Sequence, residues 1–145
     1  MKAVIQRVKK AKVIIDKEVI SQIGFGFLVF LGVGKKDTEK QVDWLAKKIV
    51  NLRIMGDEKG KMNCSLKETK GKLLIVSQFT LYGDCQKGNR PSFIKAADPI
   101  KAERLYNLFI DKTKSVGIEV KSGVFGAMMV VELVNDGPVT IFIEN

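Results

Sequence analysis

The sequence predicts an α/β fold in which mixed β-sheets carry two helices packed on them. Three observations predict it. Segments opening at Thr38 and at Asp98 carry helix-capping residues followed by apolar positions three and four apart. The stretches around them are β-branched apolar runs bounded by turn residues. The resulting order is strands, helix, strand, helix, strands, which calls for helices laid against a sheet system. At 145 residues and 46% hydrophobic content the chain reads as one domain, residues 1–145, able to bury a core without staples.

Val4, Val8, Val13 and Ile15 begin a β-rich N-terminus, with Lys9-Lys10 marking a break or bulge. Glu18–Ile23 reads as a short strand. Gly24-Phe25-Gly26 then turns into the continuous apolar run 27–33, the pattern of a strand buried on both faces. Gly24-Phe25-Gly26 and Gly32-Val33-Gly34 lack the P-loop and Rossmann spacings and read as turns. Thr38 with Gln41 makes a capping box, and Val42, Leu45, Ile49 and Leu52 form one stripe. Trp44 lies off that stripe, at a rim or an interface. Residues 56–72 are polar, with a loop tip at Asp57-Glu58-Lys59-Gly60, and 73–76 form the next strand. A basic loop, 83–91, carries Lys87 and Arg90 and is expected to border the site. Asp98-Pro99 starts the second helix, whose buried face is Ala102, Leu105, Leu108, Phe109 and Val116. Lys112 and Lys114 suit its C-terminal dipole, and Gly117 stops it. Strands at 118–121, 128–134 and 139–143 close the chain, with Asn135-Asp136-Gly137 reading as a hairpin turn between the last two.

Composition narrows the chemistry. The chain has no histidine, so neither a Ser-His-Asp nor a Cys-His unit can form within it. Cys64 and Cys85 are far apart in polar sequence, and neither a metal site nor a cofactor is expected. The N-terminus lacks the apolar core of a signal peptide, and no apolar run approaches the ~20 residues of a membrane span. A reduced, cytoplasmic protein without membrane contact is the expectation. The net charge of +9 and pI near 9.6 attract polyanions, nucleic acid first among them. A lysine-rich solvated surface is the alternative. Only Arg7, Arg53, Arg90 and Arg104 are arginines, which favours loose phosphate attraction over bidentate base reading. RRM and KH patterns are absent.

Two segments carry the functional signal. Ser77-Gln78-Phe79-Thr80-Leu81 follows the run 73–76, and Asn135-Asp136-Gly137-Pro138-Val139-Thr140 follows the run 129–134. Each places hydroxyl and amide groups at the end of an expected strand. Thr80 and Ser77 are poor nucleophiles where no group takes their proton, so orienting a substrate suits them better. Backbone N–H groups around Gln78 and Phe79 are candidate oxyanion donors. Strand termination alone is the competing account of Ser77 and Thr80.

The two segments resemble the signature motifs of the D-aminoacyl-tRNA deacylase, or D-tyrosyl-tRNA deacylase, family. The resemblance runs from Ile5-Gln6-Arg7-Val8 through Gly60-Lys61-Met62-Asn63 and Arg90-Pro91-Ser92-Phe93 to Thr140. It implies a three-layer α/β/β, partly barrel-like fold working as a homodimer. It implies hydrolysis of the ester of D-aminoacyl-tRNA, and of glycyl-tRNA, with rejection of the L form and no role for DNA. Thr80, Gln78 and Phe79 would be catalytic, and Ser77, Gly137, Pro138 and Phe125 would bind substrate. Thr80 would act either as nucleophile or as a positioning group beside the terminal ribose hydroxyl of the tRNA. The missing histidine favours the second. Gly137-Pro138 would be a cis peptide inserted into the other subunit's pocket, its carbonyl oxygens facing the amino acid. Such a wall reads handedness and ignores side-chain identity. Phe125-Gly126-Ala127 matches the family, but Met128 stands where an acidic residue is usual. Phe93 and Phe125 either stack on the terminal adenine or pack in the core. Two rivals remain at this point: a non-catalytic basic RNA-binding module, and a general small-molecule esterase.

Overall fold

A long first strand organises the sheet. In the computed structural model, which describes residues 1–145, β1 runs over Lys2–Ile15. It is followed by β2 (Glu18–Ile23), β3 (Gly26–Gly32), helix α1 (Glu39–Val50) and the small β4 (Met55–Gly56) and β5 (Met62–Cys64). Then come β6 (Lys72–Ser77), a 3₁₀ turn (Phe79–Tyr82), helix α2 (Pro99–Ser115), β7 (Val120–Ser122) and β8 (Val130–Glu144).

β1 pairs antiparallel with β3 through residues 2–8 and with β2 through residues 11–15. Its other edge pairs with β8 along almost its whole length. β3, β6 and β7 continue the sheet in parallel. β2 also touches β6 and β7, so the sheet curls into a nearly closed barrel. β8 has no strand on its far side.

The continuous apolar runs of β3 and β6 follow from burial on both faces. Phe27, Val29, Leu31, Leu73 and Ile75 share a core with Leu45 and Ile49 of α1 and Leu105 and Phe109 of α2. The alternate residues Leu28, Leu74 and Val76 pack on Val8, Val13 and Ile23, with Met129, Val131 and Leu133 of β8 against them. Helices, central strands and overlying strands make the three layers that the resemblance implies.

Both helices start as their caps predict. The Thr38 backbone N–H donates to Gln41 Oε1 at 2.9 Å, and Asp98 Oδ1 accepts from the Lys101 N–H at 3.0 Å. Such caps are worth about 1 kcal/mol each. Val42, Leu45 and Ile49 are buried, while Leu52 lies past the helix end and is half-buried. Trp44 is exposed, with the Lys48 ammonium 5.4 Å from its ring centre. In α2 the buried face is Leu105, Tyr106, Phe109, Ile110 and Thr113. Val116 is not part of it: it caps the helix and is exposed, because Gly117, at φ +84°, turns the chain away one residue later.

Lys9-Lys10 marks a bulge and not a break: β1 runs through it, while the register against β8 slips on both sides of Val8. One local reading of the strands needs revision: Asn135-Asp136-Gly137 is not a hairpin turn. The expected strands on either side are one strand, β8, and both halves pair with β1. Partners Gln6↔Thr140 and Val8↔Asn135 bracket the segment, so β8 bulges outward between them.

Candidate active site

The first motif sits where β6 runs out. Ser77 is the last residue of the ladder, opposite Leu31, and the Gln78 N–H donates to the Leu31 carbonyl at 2.8 Å. That N–H is therefore committed to the sheet and is not an oxyanion donor. The chain then tightens into the 3₁₀ turn, whose opening N–H groups, those of Phe79 and Thr80, have no partner inside the turn. Two glycines let the turn approach β3. A Cβ on Gly32 would lie 3.0 Å from the Gln78 carbonyl oxygen, and one on Gly34 would lie 2.6 Å from the Tyr82 hydroxyl oxygen.

Tyr82 ties the far end of the turn down. Its hydroxyl donates to Asp37 Oδ2 at 3.1 Å. Asp37 also accepts from the Gly34 N–H at 2.6 Å and from the Met1 ammonium at 2.8 Å. Burial first, and the Asp37 charge second, hold the Tyr82 phenol well above its ordinary range.

Beside the turn lies a cavity of about 650 Å³. Ser77, Gln78, Phe79 and Thr80 form one side, with Phe125 and Met129 among the residues facing them. No charged side chain lines it. The Gln78 side-chain amide donates to Thr80 Oγ1, a contact that holds the hydroxyl without drawing off its proton. Tyr106 donates its own hydroxyl to the Ile75 carbonyl at 2.8 Å. Burial pushes its phenol up to about 12, so it stays protonated at neutral pH. Phe125 rests on Tyr106, ring centres 5.8 Å apart, and reaches the cavity as a wall. Phe93 does not line it. Its ring meets the exposed ring of Phe79 edge-on at 5.0 Å. The basic loop touches the site at Gly83, whose N–H donates to the Thr80 carbonyl at 2.9 Å, but none of residues 83–91 lines the cavity. Met128 stands at the rim, 91% exposed.

The second motif is elsewhere. Gly137-Pro138 is a cis peptide at the crest of the β8 bulge, and both residues are exposed. Neither lines the cavity. Thr140 pairs with Gln6, Gln6 with Leu28 and Leu28 with Leu74, three residues short of Ser77. Along the sheet the motifs are thus three strand spacings apart, about 14 Å, and a further ~10 Å along the strand.

Arg7, which sequence reading noted as one of four arginines and within the N-terminal match to the family but gave no role, fixes the bulge. Its Nε lies 3.1 Å from Asp136 Oδ2 and 3.2 Å from the Asp136 carbonyl oxygen, and its Nη1 donates to Ile54 O at 2.7 Å. The Val139 N–H donates to Asn135 Oδ1 at 3.2 Å, and Asn135 Nδ2 donates to Thr140 Oγ1 at 3.1 Å. Gly137 has φ +120°, and a Cβ there would lie 2.9 Å from Arg7 Nη2. Residue identity at the crest is therefore set by the backbone. Both cysteines are free, and no group of three or more His, Cys, Asp or Glu side chains is placed to hold a metal ion.

A turn with free N–H groups at an uncharged cavity suits acyl chemistry, and comparison with known proteins decides the class. The profile of the D-Tyr-tRNA(Tyr) deacylase family matches residues 4–144. The chain belongs to that family. A D-aminoacyl-tRNA deacylase of Desulfotalea psychrophila is 54% identical over 145 residues, covering 100% of this chain and 97% of the relative. One of Bacillus cereus is 52% identical, covering 100% and 99%. Among solved structures, one described as a c-Myc DNA unwinding element binding protein superposes with a TM-score of 0.96 at 43% identity, covering 100% and 99%. Another, described as a probable eukaryotic D-amino acid tRNA deacylase, shares the fold at a TM-score of 0.85 and 17% identity, covering 98% and 97%. Family membership carries the activity: enzymatic hydrolysis of the ester that joins a D-amino acid to tRNA. No helix is long and apolar enough to cross a membrane.

Proposed function

We propose that the ester is cleaved in the cavity beside Thr80, and that Gly137-Pro138 of a second copy of the chain closes that cavity and rejects L-aminoacyl esters. The observation that carries this reading is the separation of the two motifs. One borders a cavity that lacks a chiral wall, and the other is a rigidly held, exposed crest with nothing of its own chain to meet. A two-fold pairing brings each to the other.

The chemistry follows from what lines the cavity. Water attacks the ester carbonyl, and the Phe79 N–H receives the developing oxyanion. One such donor is worth about 3 kcal/mol. The C–O bond to the ribose then breaks, and the ribose oxygen leaves with a proton. With neither a carboxylate nor an imidazole present, the proton passes through water and the neighbouring hydroxyl of the terminal ribose. Thr80, held by Gln78, positions the substrate, and Ser77 and Phe125 shape the space around it. Main-chain atoms beside Cα leave room for hydrogen alone, so D-aminoacyl and glycyl esters enter and L esters do not. The site is expected to work without a cofactor, in the cytoplasm, as a single-domain homodimer.

The test compares hydrolysis of D-tyrosyl-tRNA and L-tyrosyl-tRNA by two variants. Phe79→Pro deletes one N–H at a helix-start position that tolerates proline, and should cost 10²- to 10³-fold in kcat, about the loss of one oxyanion donor. Phe79→Leu controls for the ring. Gly137→Ala should lose the D-specific reaction as well. Mixing the two inactive proteins should restore part of the activity, because a mixed dimer holds one intact composite site. No recovery on mixing overturns the cross-subunit assignment. Equal, unaccelerated loss of both esters with the unaltered protein leaves RNA binding alone.

A further inference from the structure

The wall of the cavity beside the Tyr82 end of the 3₁₀ turn continues into a group of lysines. Gly34 and Ala96 form a β-bridge, the Ala97 N–H donates to Val33 O at 2.9 Å, and the Lys35 N–H donates to Lys95 O at 3.1 Å. This pairing brings two distant segments side by side. On the cavity side it contributes Val33, Ala97, Pro99 and Ala102. Beside them it places Lys35, Lys36, Lys95 and Lys101. Lys101 Nζ donates to the Lys35 carbonyl at 2.6 Å, which fixes one cation across the bridge.

The nearby carboxylates are already occupied. Asp37 is buried against the Met1 ammonium, the Gly34 N–H and Tyr82. Asp98 caps α2, and Asp84 takes Lys95 and the Gln86 N–H. Lys35 and Lys36 are exposed and form no ion pair. An uncharged cavity thus has a strip of positive charge along one rim.

We propose that this ridge, with Lys35 and Lys36 at its centre, binds backbone phosphates at the 3′ end of the tRNA acceptor arm and so delivers the terminal ester to the cavity. The inference rests on the deacylase reading and adds the surface that recognises the polynucleotide. A substrate held there has its phosphates outside, on the lysines, and its neutral aminoacyl end inside.

The test pairs Lys35→Gln/Lys36→Gln with Lys47→Gln/Lys48→Gln. The second pair removes equal charge from α1, none of whose residues lines the cavity. Binding of a tRNA carrying a non-hydrolysable D-tyrosyl amide and hydrolysis of D-tyrosyl-tRNA are followed from 50 to 300 mM KCl. For Lys35→Gln/Lys36→Gln the slope of log affinity against log salt should flatten by about 1.4, some 0.7 for each cation removed from a single strand. KM should rise several-fold with kcat unchanged, and D-tyrosyl-adenosine, which has no phosphate, should be cleaved as before. Lys47→Gln/Lys48→Gln should change none of these. Equal flattening in both pairs, or none in the first, overturns the ridge. A flattening seen equally with unrelated single-stranded DNA overturns its assignment to tRNA. Failure of the unaltered protein to cleave D-tyrosyl-tRNA would overturn the deacylase reading instead, while the amide-binding slopes still judge the ridge.

Discussion

The two signature segments look alike in sequence and behave differently in the fold. Both follow apolar runs and both carry hydroxyl and amide groups. Residues 77–82 end a parallel strand and wind into a turn over a cavity. Residues 135–140 interrupt nothing: they bulge from the middle of an antiparallel strand that pairs on either side of them. The first is held mainly by backbone geometry and glycine clearance. The second hangs on side chains, Arg7 on Asp136 and Asn135 on Val139 and Thr140. A site built of backbone donors tolerates loss of single side chains, whereas a bulge pinned by side chains is more sensitive to it.

The sharpest way to break that contrast is Arg7→Ala. It leaves Asp136 without its closest cation and Ile54 O without a donor. The expected loss is about 3 kcal/mol of stability, read by urea unfolding. Deacylation should fall about 100-fold, since a crest displaced by an ångström no longer meets the substrate. Retained D-specific activity would show that the bulge holds itself.

Alkaline pH probes the turn side. Tyr106 is neutral in the fold up to about 12 but ionises near 10 when unfolded. Its contribution is therefore complete below pH 10 and is lost as pH rises toward 12, at about 1.4 kcal/mol per pH unit. Tyr82, whose phenol is also raised, adds to the same decline. Thermal melts between pH 8 and 11 should show it, and Tyr106→Phe should flatten it. Thr80→Ala should cost less than tenfold in kcat, or about 1.4 kcal/mol, if the hydroxyl only positions substrate. Loss of all turnover would make it the nucleophile. Smallest of all, Tyr82→Phe should cost about 1 kcal/mol of stability with little change in activity, because Asp37 keeps two other donors.

What could be read without coordinates was local. Thr38 with Gln41, and Asp98 with Pro99, announce helices through contacts spanning three residues. The run 27–33 announces a strand covered on both faces, since only such a strand has no polar side. The hairpin at Asn135-Asp136-Gly137 was misread because its local turn signal is genuine, but pairing with β1 before and after it overrides the turn. Val116 fits the apolar stripe and yet lies one residue past the helix. The cavity was legible on the side of Ser77 and Thr80 and, through the family resemblance, at Phe125. Its other walls come from the bridge between Gly34 and Ala96 and from Tyr106, contacts made across 31 or more residues of chain that no periodicity encodes. Arg7 carried too weak a signal, one arginine in a short N-terminal match, to be assigned its hold on Asp136.

Pairing of β1 with β8 also sets a timetable. Residues 2–14 are made well before their partner strand, and the edge they share with Val130–Glu144 cannot zip until residue 144 has been added. Until then the hydrogen-bonding edge of residues 2–14 is open to other chains. Folding is accordingly expected to be slow for a domain of this size and to benefit from a chaperone that shields that strand in the interval.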